Sequence, residues 1–143
     1  MSQRPHVDAL VILERAGRVL LAERLDTGYA DGLLNLPSGK VEHDESVVAA
    51  AIREAREEVG VDLDPHALRI VHTMHYRTPE GAPRVGFFFA TARWAGTPRN
   101  AEPHKCAGLS WHDPHHLPTT VVHYNALGIG HYLRGEPASA HGW

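Results

Sequence analysis

Three glutamates in the segment REAREEVG (residues 53–60) carry the strongest chemical signal in this sequence. In a helix, Glu54, Glu57 and Glu58 are three and four residues apart, so their carboxylates crowd one face. Like charges at this spacing repel and destabilise a helix by roughly 0.2–0.5 kcal/mol per pair. A hard divalent cation, which prefers oxygen ligands, would neutralise them. The segment therefore predicts a metal site, and the alternative is a solvated acidic helix face.

The chain before this helix supports the metal interpretation. Residues 36–42, LPSGKVE, read as the end of a strand followed by a tight glycine turn that leads into the helix. A backbone carbonyl near Gly39 would then face the carboxylates and join the oxygen shell of the metal. The helix also begins with small apolar residues at 49–52 and closes at Gly60, which favours a packed helix over a solvated one.

The spacing of these residues resembles the Nudix box of the Nudix hydrolase superfamily. Gly39 is followed after five residues by Glu45, and after seven more by the segment 53–61. Ala55 departs from the usual pattern because a larger aliphatic residue is common there, and Ser38 stands where many members have a second glycine. The invariant positions of the box are all filled, by Gly39, Glu45, Arg53, Glu54, Glu57, Glu58 and Gly60.

The resemblance implies an α/β fold of the Nudix type, an α/β/α sandwich with a mixed β-sheet, formed by residues 1–143 as a single domain. It also implies hydrolysis of a nucleoside diphosphate linked to another group, NDP-X. The implied cofactor is Mg²⁺ or Mn²⁺, held by the carboxylates of the box helix and the carbonyl of Gly39. Arg53 lies eight residues after Glu45, so the two can pair and hold the loop against the helix.

A further carboxylate lies outside the box, in the stretch EPHK (residues 102–105). This stretch resembles the Glu-Pro-x-Lys segment of MutT-type enzymes, which cleave nucleoside triphosphates and often take an extra metal ligand or base from it. Glu102 is therefore a candidate metal ligand or catalytic group, and the alternative is an ordinary loop glutamate. Lys105 is a candidate phosphate contact, or a surface lysine.

Candidate base contacts lie on two segments that border the box helix, the loop before Pro37 and residues 117–125. The pyrophosphate is fixed at the helix, and a nucleoside extends roughly 10 Å beyond it, so these segments are expected to read the base. Aromatic rings can stack on a base and an asparagine can hydrogen-bond its edge. The alternative for the helical members is a place in the core. The candidates are Tyr29, Asn35, His123 and Asn125.

Hydrophobic periodicity and turn residues predict six strands and two helices. The first helix is expected over residues 46–59 with Asp44 or Glu45 near its N-cap, and the second over residues 120–134, weakened by Gly128 and Gly130. The tail 135–143 is rich in small residues, so we expect it to be flexible and frayed. The strands are predicted at residues 7–13, 18–23, 33–36, 68–77, 84–94 and 109–112.

Composition narrows the class of partner. The chain has 143 residues and a formal net charge of −3, so no basic surface favours a nucleic acid polymer. No stretch approaches the ~20 apolar residues of a membrane span, and residues 1–6 lack the apolar region of a leader peptide. Cys106 is the only cysteine, which suits the cytoplasm and a small buried residue better than a nucleophile. Most of the twelve histidines are expected on the surface, and a homodimer is left open.

Three functions are compatible with the resemblance. The leading one is cleavage of a nucleoside triphosphate, including modified or oxidised forms, to nucleoside monophosphate and pyrophosphate. The second keeps the mechanism but takes a nucleotide sugar or ADP-ribose, for which the proline marker would be Pro79, slightly late and in a turn. The third is a non-catalytic domain that senses a nucleotide. Such domains typically lose box glutamates, whereas this chain keeps them all.

Overall fold

The computed structural model describes residues 4–143. Residues 1–3, part of the segment 1–6 in which no apolar leader region was predicted, lie outside the described residues. No helix within this described part is long and apolar enough to cross a membrane. The helices are α1 Val47–Val59 and α2 His123–Leu133. The strands are β1 His6–Arg15, β2 Arg18–Arg24, β3 Leu34–Asn35, β4 Ser38–Lys40, β5 Asp62–Leu63, β6 Arg69–Arg77, β7 Pro83–Thr91, β8 Trp94–Ala95, β9 Cys106–His112 and β10 Ala138–His141.

The strands form one large mixed sheet and a separate pair. The order in the large sheet is β10-β6-β7-β1-β2-β3, with β4 paired to β1 and β9 paired to β2. β1 runs parallel to β7, and β10 runs parallel to β6, while the other pairs are antiparallel. β5 and β8 pair only with each other among the described strands. The predicted mixed sheet is confirmed.

The helices cover opposite faces of this sheet, which confirms the predicted α/β/α sandwich. Residues 9–13 of β1 are all buried, and alternate side chains enter the two cores because successive strand residues point to opposite faces. One core contains the buried face of α1 and the other that of α2. On the first face lie Ala9, Val11, Leu13, Ala50, Ala51, Ala55 and Val59, and on the second Leu10, Ile12, Phe88 and Ile129.

The N-terminus of α1 lies where it was predicted. Ser46 is the N-cap, and its Oγ accepts a hydrogen bond of 3.0 Å from the N–H of Ala49. Asp44 and Glu45 lie two and one residues before this cap, near it as predicted, and the serine makes the capping contact. Gly60 ends the helix as predicted, with a φ of 69° in the left-handed region.

The C-terminal segment is ordered where a frayed tail was predicted. Residues 138–141 form β10 and pair with residues 73–76 of β6. His72, fully buried, fixes the same segment, because its Nδ1 donates to the carbonyl of Glu136 at 2.6 Å and its Nε2 lies 2.7 Å from the Oγ of Ser139. The prediction of a flexible tail is therefore wrong for these residues. Backbone pairing and one buried histidine order a segment with little apolar side-chain area.

The two glycines of α2 give a matched test of core packing. A Cβ added at Gly128 would overlap the ring of Phe88, whereas one at Gly130 would meet only the mobile end of Arg134, at 3.2 Å. Overpacking costs about 1–3 kcal/mol, and alanine gains at most about 1 kcal/mol in helix propensity. We expect Gly128→Ala to lower the free energy of unfolding and Gly130→Ala to leave it unchanged or raise it. Urea unfolding measures both, and equal effects would contradict the predicted contact with Phe88.

Candidate active site

The turn before α1 touches the box helix directly. β4 pairs with β1 through Ala9 and Gly39, and α1 packs on the same central strand. A Cβ built on Gly39 would overlap the carboxylate of Glu54. Only glycine therefore allows the backbone this close to the carboxylate. The glycine turn and the helical glutamate that the sequence placed in one site are in contact.

Glu58 is the most deeply enclosed carboxylate of this site. The N–H of Ser38 donates to its Oε2 at 2.7 Å, which joins α1 to the strand turn. Burial raises the pKa of Glu58 well above its ordinary value, and the charge of Glu54 raises it further, while the hydrogen bond from Ser38 opposes both. A carboxylate in this environment is held in place but is short of positive charge.

Arg53 makes the ion pair predicted from its spacing, and three further hydrogen bonds. Its Nε and Nη2 donate to the two carboxylate oxygens of Glu45 at 3.0 and 2.6 Å, and this bidentate bond holds the pKa of Glu45 at about 2. Its Nη1 also donates to Glu54 at 2.7 Å and to Glu57 at 3.2 Å. Nη2 further reaches the carbonyl of Lys40 at 3.2 Å. Arg53 thus braces the turn and lies between two of the box carboxylates.

Glu102 reaches the box because its loop is tied to the end of α1. The N–H of Ala101 donates to the carbonyl of Glu58 at 3.1 Å, which also satisfies one of the free carbonyls at the helix end. Glu102 lies close enough that its charge raises the pKa of both Glu54 and Glu58. The backbone contact therefore brings the loop that carries Glu102 to the C-terminal end of the box helix.

The carboxylates suit a hard cation, although they are not gathered as a finished metal site. Among residues 4–143, no three His, Cys, Asp or Glu side chains are grouped closely enough to hold a metal. The contacts explain this, since Arg53 engages Glu54 and Glu57 while Ser38 engages Glu58. Burial, the larger cause, and neighbouring carboxylates together leave the pKa of Glu54 raised despite Arg53. Oxygen donors short of positive charge fit Mg²⁺ or Mn²⁺.

Arg24, which the sequence interpretation missed, lies against two of the candidate base contacts, Tyr29 and Asn35. Its positive charge makes the smallest of the contributions to the pKa of Glu58 and opposes the rise that burial causes. Its Nε donates to the carbonyl of Tyr29 at 2.7 Å, and its guanidinium lies 5.5 Å from the centre of the Tyr29 ring. The only signal in the sequence is an arginine that ends a strand just before a glycine-containing loop.

Two of the predicted base contacts surround Arg24. The amide of Asn35 lies between the carbonyl of Ala22 and Nη1 of Arg24, and one orientation satisfies both. In that orientation Nδ2 donates to Ala22 at 3.1 Å and Oδ1 accepts from Arg24 at 3.0 Å. Tyr29 is 65% exposed, so its ring is free to meet a ligand. Asn35 thus orients Arg24, and Tyr29 presents the accessible surface.

The two candidates on α2 have different surroundings. Asn125 is only 4% exposed, and its Oδ1 accepts a hydrogen bond of 2.8 Å from the N–H of Leu36. His123 is exposed and borders an open cavity of 630 Å³. The other residues around this cavity are Tyr76, Arg77, Thr78, Pro79, Glu80, Gly81, His141 and Gly142. The base contacts predicted for His123 and Asn125 stay predictions, and for Asn125 the acceptor atom already has a partner.

Lys105 lies on the turn that follows Glu102, and Cys106 is the first residue of β9. The side chain of Lys105 is exposed, and its backbone carbonyl accepts from the N–H of Leu25 at 2.9 Å, next to Arg24. The phosphate contact predicted for Lys105 stays a prediction. Cys106 is buried, and burial raises the pKa of its thiol. The prediction that Cys106 is a small buried residue is confirmed.

The fold and this site define the class of the protein. The sequence model of the NUDIX domain matches residues 2–128, and the chain belongs to that family. Among curated proteins, it is 34% identical to phosphatase NudJ of Escherichia coli strain K12 over 87 residues, which is 61% of this chain and 54% of NudJ. Phosphatase NudJ of Shigella flexneri matches equally. The chain thus spans about half the length of the curated relatives it matches.

Solved structures agree with the family. The crystal structure of a MutT NUDIX hydrolase from Burkholderia pseudomallei superposes with a TM-score of 0.81 at 27% identity, covering 90% of this chain and 98% of that one. The E. coli ORF135 protein gives a TM-score of 0.77 at 25% identity, covering 92% and 91%. A NUDIX hydrolase from Nitrosomonas europaea, 21% identical with a TM-score of 0.79 over 94% and 93%, supports the fold alone. The predicted Nudix fold is confirmed.

Proposed function

We propose that this protein is a metal-dependent Nudix hydrolase that cleaves the pyrophosphate link of NDP-X. The preferred substrate is a nucleoside triphosphate, canonical or chemically modified, and the products are a nucleoside monophosphate and pyrophosphate. The observation that carries the proposal is the close contact of the glycine turn and Arg53 with the carboxylates of α1, to whose end the loop of Glu102 is tied. On a Nudix scaffold, this arrangement supplies more carboxylate oxygens than Arg53 alone neutralises.

The residues that would hold Mg²⁺ or Mn²⁺ are Glu54, Glu57, Glu58 and Glu102, with the carbonyl of Gly39. When bound, the cation supplies positive charge to the phosphate oxygens and lowers the pKa of the attacking water. Ser38 holds one ligand through its N–H, and the bond from Arg53 to Glu45 keeps the turn against the helix. These fixed contacts place the carboxylates before the substrate arrives, which reduces the reorganisation required during reaction.

The nucleoside half of the substrate extends from the carboxylates toward Arg24 and Tyr29. The guanidinium of Arg24, held by the carbonyl of Tyr29 and by Asn35, would meet the negative charge of a phosphate. The exposed ring of Tyr29 offers a face on which a base can stack. Lys105 and His123 are further contacts at the border of this region. A small nucleotide of this kind, together with the single free cysteine, fits a cytoplasmic protein.

A substrate panel tests the proposal. It would include canonical and oxidised nucleoside triphosphates, nucleotide sugars, ADP-ribose and dinucleoside polyphosphates, each with Mg²⁺, with Mn²⁺ and with EDTA. Chromatography of the nucleotide products, together with phosphate release after added pyrophosphatase, identifies the bond that is cleaved. We expect monophosphate and pyrophosphate from a triphosphate, and no turnover in EDTA. Faster cleavage of a sugar nucleotide or ADP-ribose would favour the second function, and binding without any turnover would favour a nucleotide sensor.

Glu102→Gln is expected to lower the rate less than substitutions in α1, or to raise the Mg²⁺ concentration needed for half-maximal activity. Glu102 lies on a loop, so its position is less rigidly fixed than that of a helical residue. Titration of the initial rate with Mg²⁺ measures both effects, and Glu80→Gln in the β6–β7 turn serves as a control of the same chemistry. Kinetics and metal dependence equal to those of the unchanged protein would make Glu102 an ordinary loop residue.

A further inference from the structure

We propose that Asn125 is a positioning residue of the carboxylate site. Its amide oxygen holds the backbone at Leu36, two residues before Ser38, whose N–H binds Glu58, and this contact helps to position that N–H. The inference depends on the proposed function because it takes Glu58 to be a metal ligand. It gives Asn125 a role that differs from reading the base, and the two roles use different atoms of the same amide.

The contact forms where two segments stop pairing through their backbones. The N–H of Leu34 donates to the carbonyl of Thr120 at 2.9 Å, and the N–H of Val122 donates back to Leu34 at 2.8 Å. After Val122 the chain turns into α2, whose carbonyls are used within the helix. The next N–H on the same side of the chain as that of Leu34 belongs to Leu36, which follows β3 directly and is fully buried. The Oδ1 of Asn125, at 2.8 Å, supplies the acceptor that the backbone no longer provides.

Only one residue separates Leu36, which contacts Asn125, from Ser38, which contacts the carboxylate of Glu58. Leu36 and Ser38 are joined by Pro37, whose ring fixes its φ angle. The carbonyl of Pro37 belongs to the same planar peptide unit as the N–H of Ser38, and it accepts a hydrogen bond of 2.9 Å from the N–H of Val11 on the central strand. Val11 and Asn125 thus hold this unit from its two sides. Loss of the Asn125 contact would leave it held from one side, so we expect the N–H of Ser38 to move and its 2.7 Å bond to Glu58 to weaken.

Two substitutions separate the roles of the two amide atoms. Asn125→Asp keeps an oxygen acceptor of the same shape for Leu36 but removes the amino donor that a base would require. Asn125→Ala removes both. Leu133→Ala, at the end of the same helix, is the matched control because its side chain is 37% exposed and belongs to neither hydrophobic core. The comparison assigns positioning to the acceptor and base recognition to the donor.

Binding of Mn²⁺ in the absence of nucleotide, followed by electron paramagnetic resonance, is the main measurement. We expect Asn125→Ala to weaken Mn²⁺ binding about 10-fold, the usual effect of losing a partner that supports a metal ligand. Asn125→Asp should bind Mn²⁺ within about 3-fold of the unchanged protein, well short of that loss. The turnover number of Asn125→Ala should fall by a common factor on every nucleotide, and Leu133→Ala should leave Mn²⁺ binding unchanged.

Each outcome distinguishes this inference from the proposed function. Unchanged Mn²⁺ binding by Asn125→Ala, with only the ranking of bases altered, would overturn the positioning role. An equal loss in Asn125→Asp and Asn125→Ala would also overturn it. If Asn125→Ala does not fold, amide hydrogen exchange in Asn125→Asp decides, since we expect Leu36 and Ser38 to stay protected. An unchanged protein that binds no Mn²⁺ and cleaves no nucleotide would instead contradict the proposed function.

Discussion

Replacing Glu57 or Glu58 by glutamine is expected to lower the turnover number at least about 100-fold, or about 2.7 kcal/mol of transition-state stabilisation. Glutamine keeps the shape of the side chain and removes the negative charge that a metal ligand requires. Glu58 is enclosed and hydrogen-bonded to Ser38, whereas the side chain of Glu57 is 52% exposed. Glu58→Gln should therefore lower the turnover number at least as much as Glu57→Gln. Steady-state kinetics at saturating Mg²⁺ and circular dichroism measure rate and fold together.

Asp62→Asn is the matched control for these variants. Asp62 is an exposed carboxylate that pairs with Arg56 of the same helix at 2.7 Å, outside the carboxylate cluster. Its substitution removes one negative charge near α1 and should leave turnover within about 2-fold, because exposed ion pairs contribute little. Near-normal activity in both the Glu57 and Glu58 variants would remove the metal assignment from this helix.

The same Glu58→Gln substitution should stabilise the metal-free protein at neutral and higher pH. Burial and the charge of Glu54 raise the pKa of Glu58 in the folded state above its ordinary value of 4.5. The folded protein therefore binds this proton more tightly than the unfolded chain, and stability is lost as pH rises through the raised pKa. A glutamine at position 58 does not titrate, so the variant does not lose this stability. In EDTA, the melting temperature of Glu58→Gln should exceed that of the unchanged protein, and by more at pH 8 than near pH 5. A difference that does not change with pH would contradict this account.

The sequence predicts the box helix and its partner turn well because their chemistry is local. Glutamate spacing, the stop at Gly60 and the pairing of Glu45 with Arg53 all follow from helical geometry within a few turns. The short strands could not be predicted in this way. β4, for instance, has three residues and exists because the turn pairs with residues 8–10 of β1. β10 likewise depends on the exposed edge of β6 and on His72, both distant in sequence.

The supporting contacts of the site were missed for the same physical reason. Ser38 donates to Glu58 through its backbone, and Leu36 donates to Asn125 through its own, so neither contact depends on a side-chain type that a motif would show. Arg24 was missed because one arginine at the end of a strand has no periodic signal. Side-chain patterns identify the groups that carry charge, whereas the tertiary structure determines which backbone groups hold them.

Gly39→Ala is expected to lower kcat/KM about 100-fold, as misplacement of a reacting group by ~1 Å can do, while the fold survives. The three atoms that a Cβ would overlap all belong to the end of the Glu54 side chain, which can move without disturbing the core. The displacement would break the bond of 2.7 Å between Arg53 and Glu54 and move the carboxylate out of its place against the turn. The cost should therefore fall on the site, with the free energy of unfolding changed by no more than about 1 kcal/mol.

Gly108→Ala is the matched control, because Gly108 also lies in a strand and an added Cβ there meets nothing within 4 Å. It should leave kcat/KM and unfolding unchanged, whereas Gly39→Ala should also weaken Mn²⁺ binding. The double variant Gly39→Ala with Glu54→Gln should be no slower than Glu54→Gln alone, since both changes act on one carboxylate. If the two effects multiply instead, Gly39 acts through its own carbonyl or the backbone, and the close approach to Glu54 is not the reason for glycine at this position.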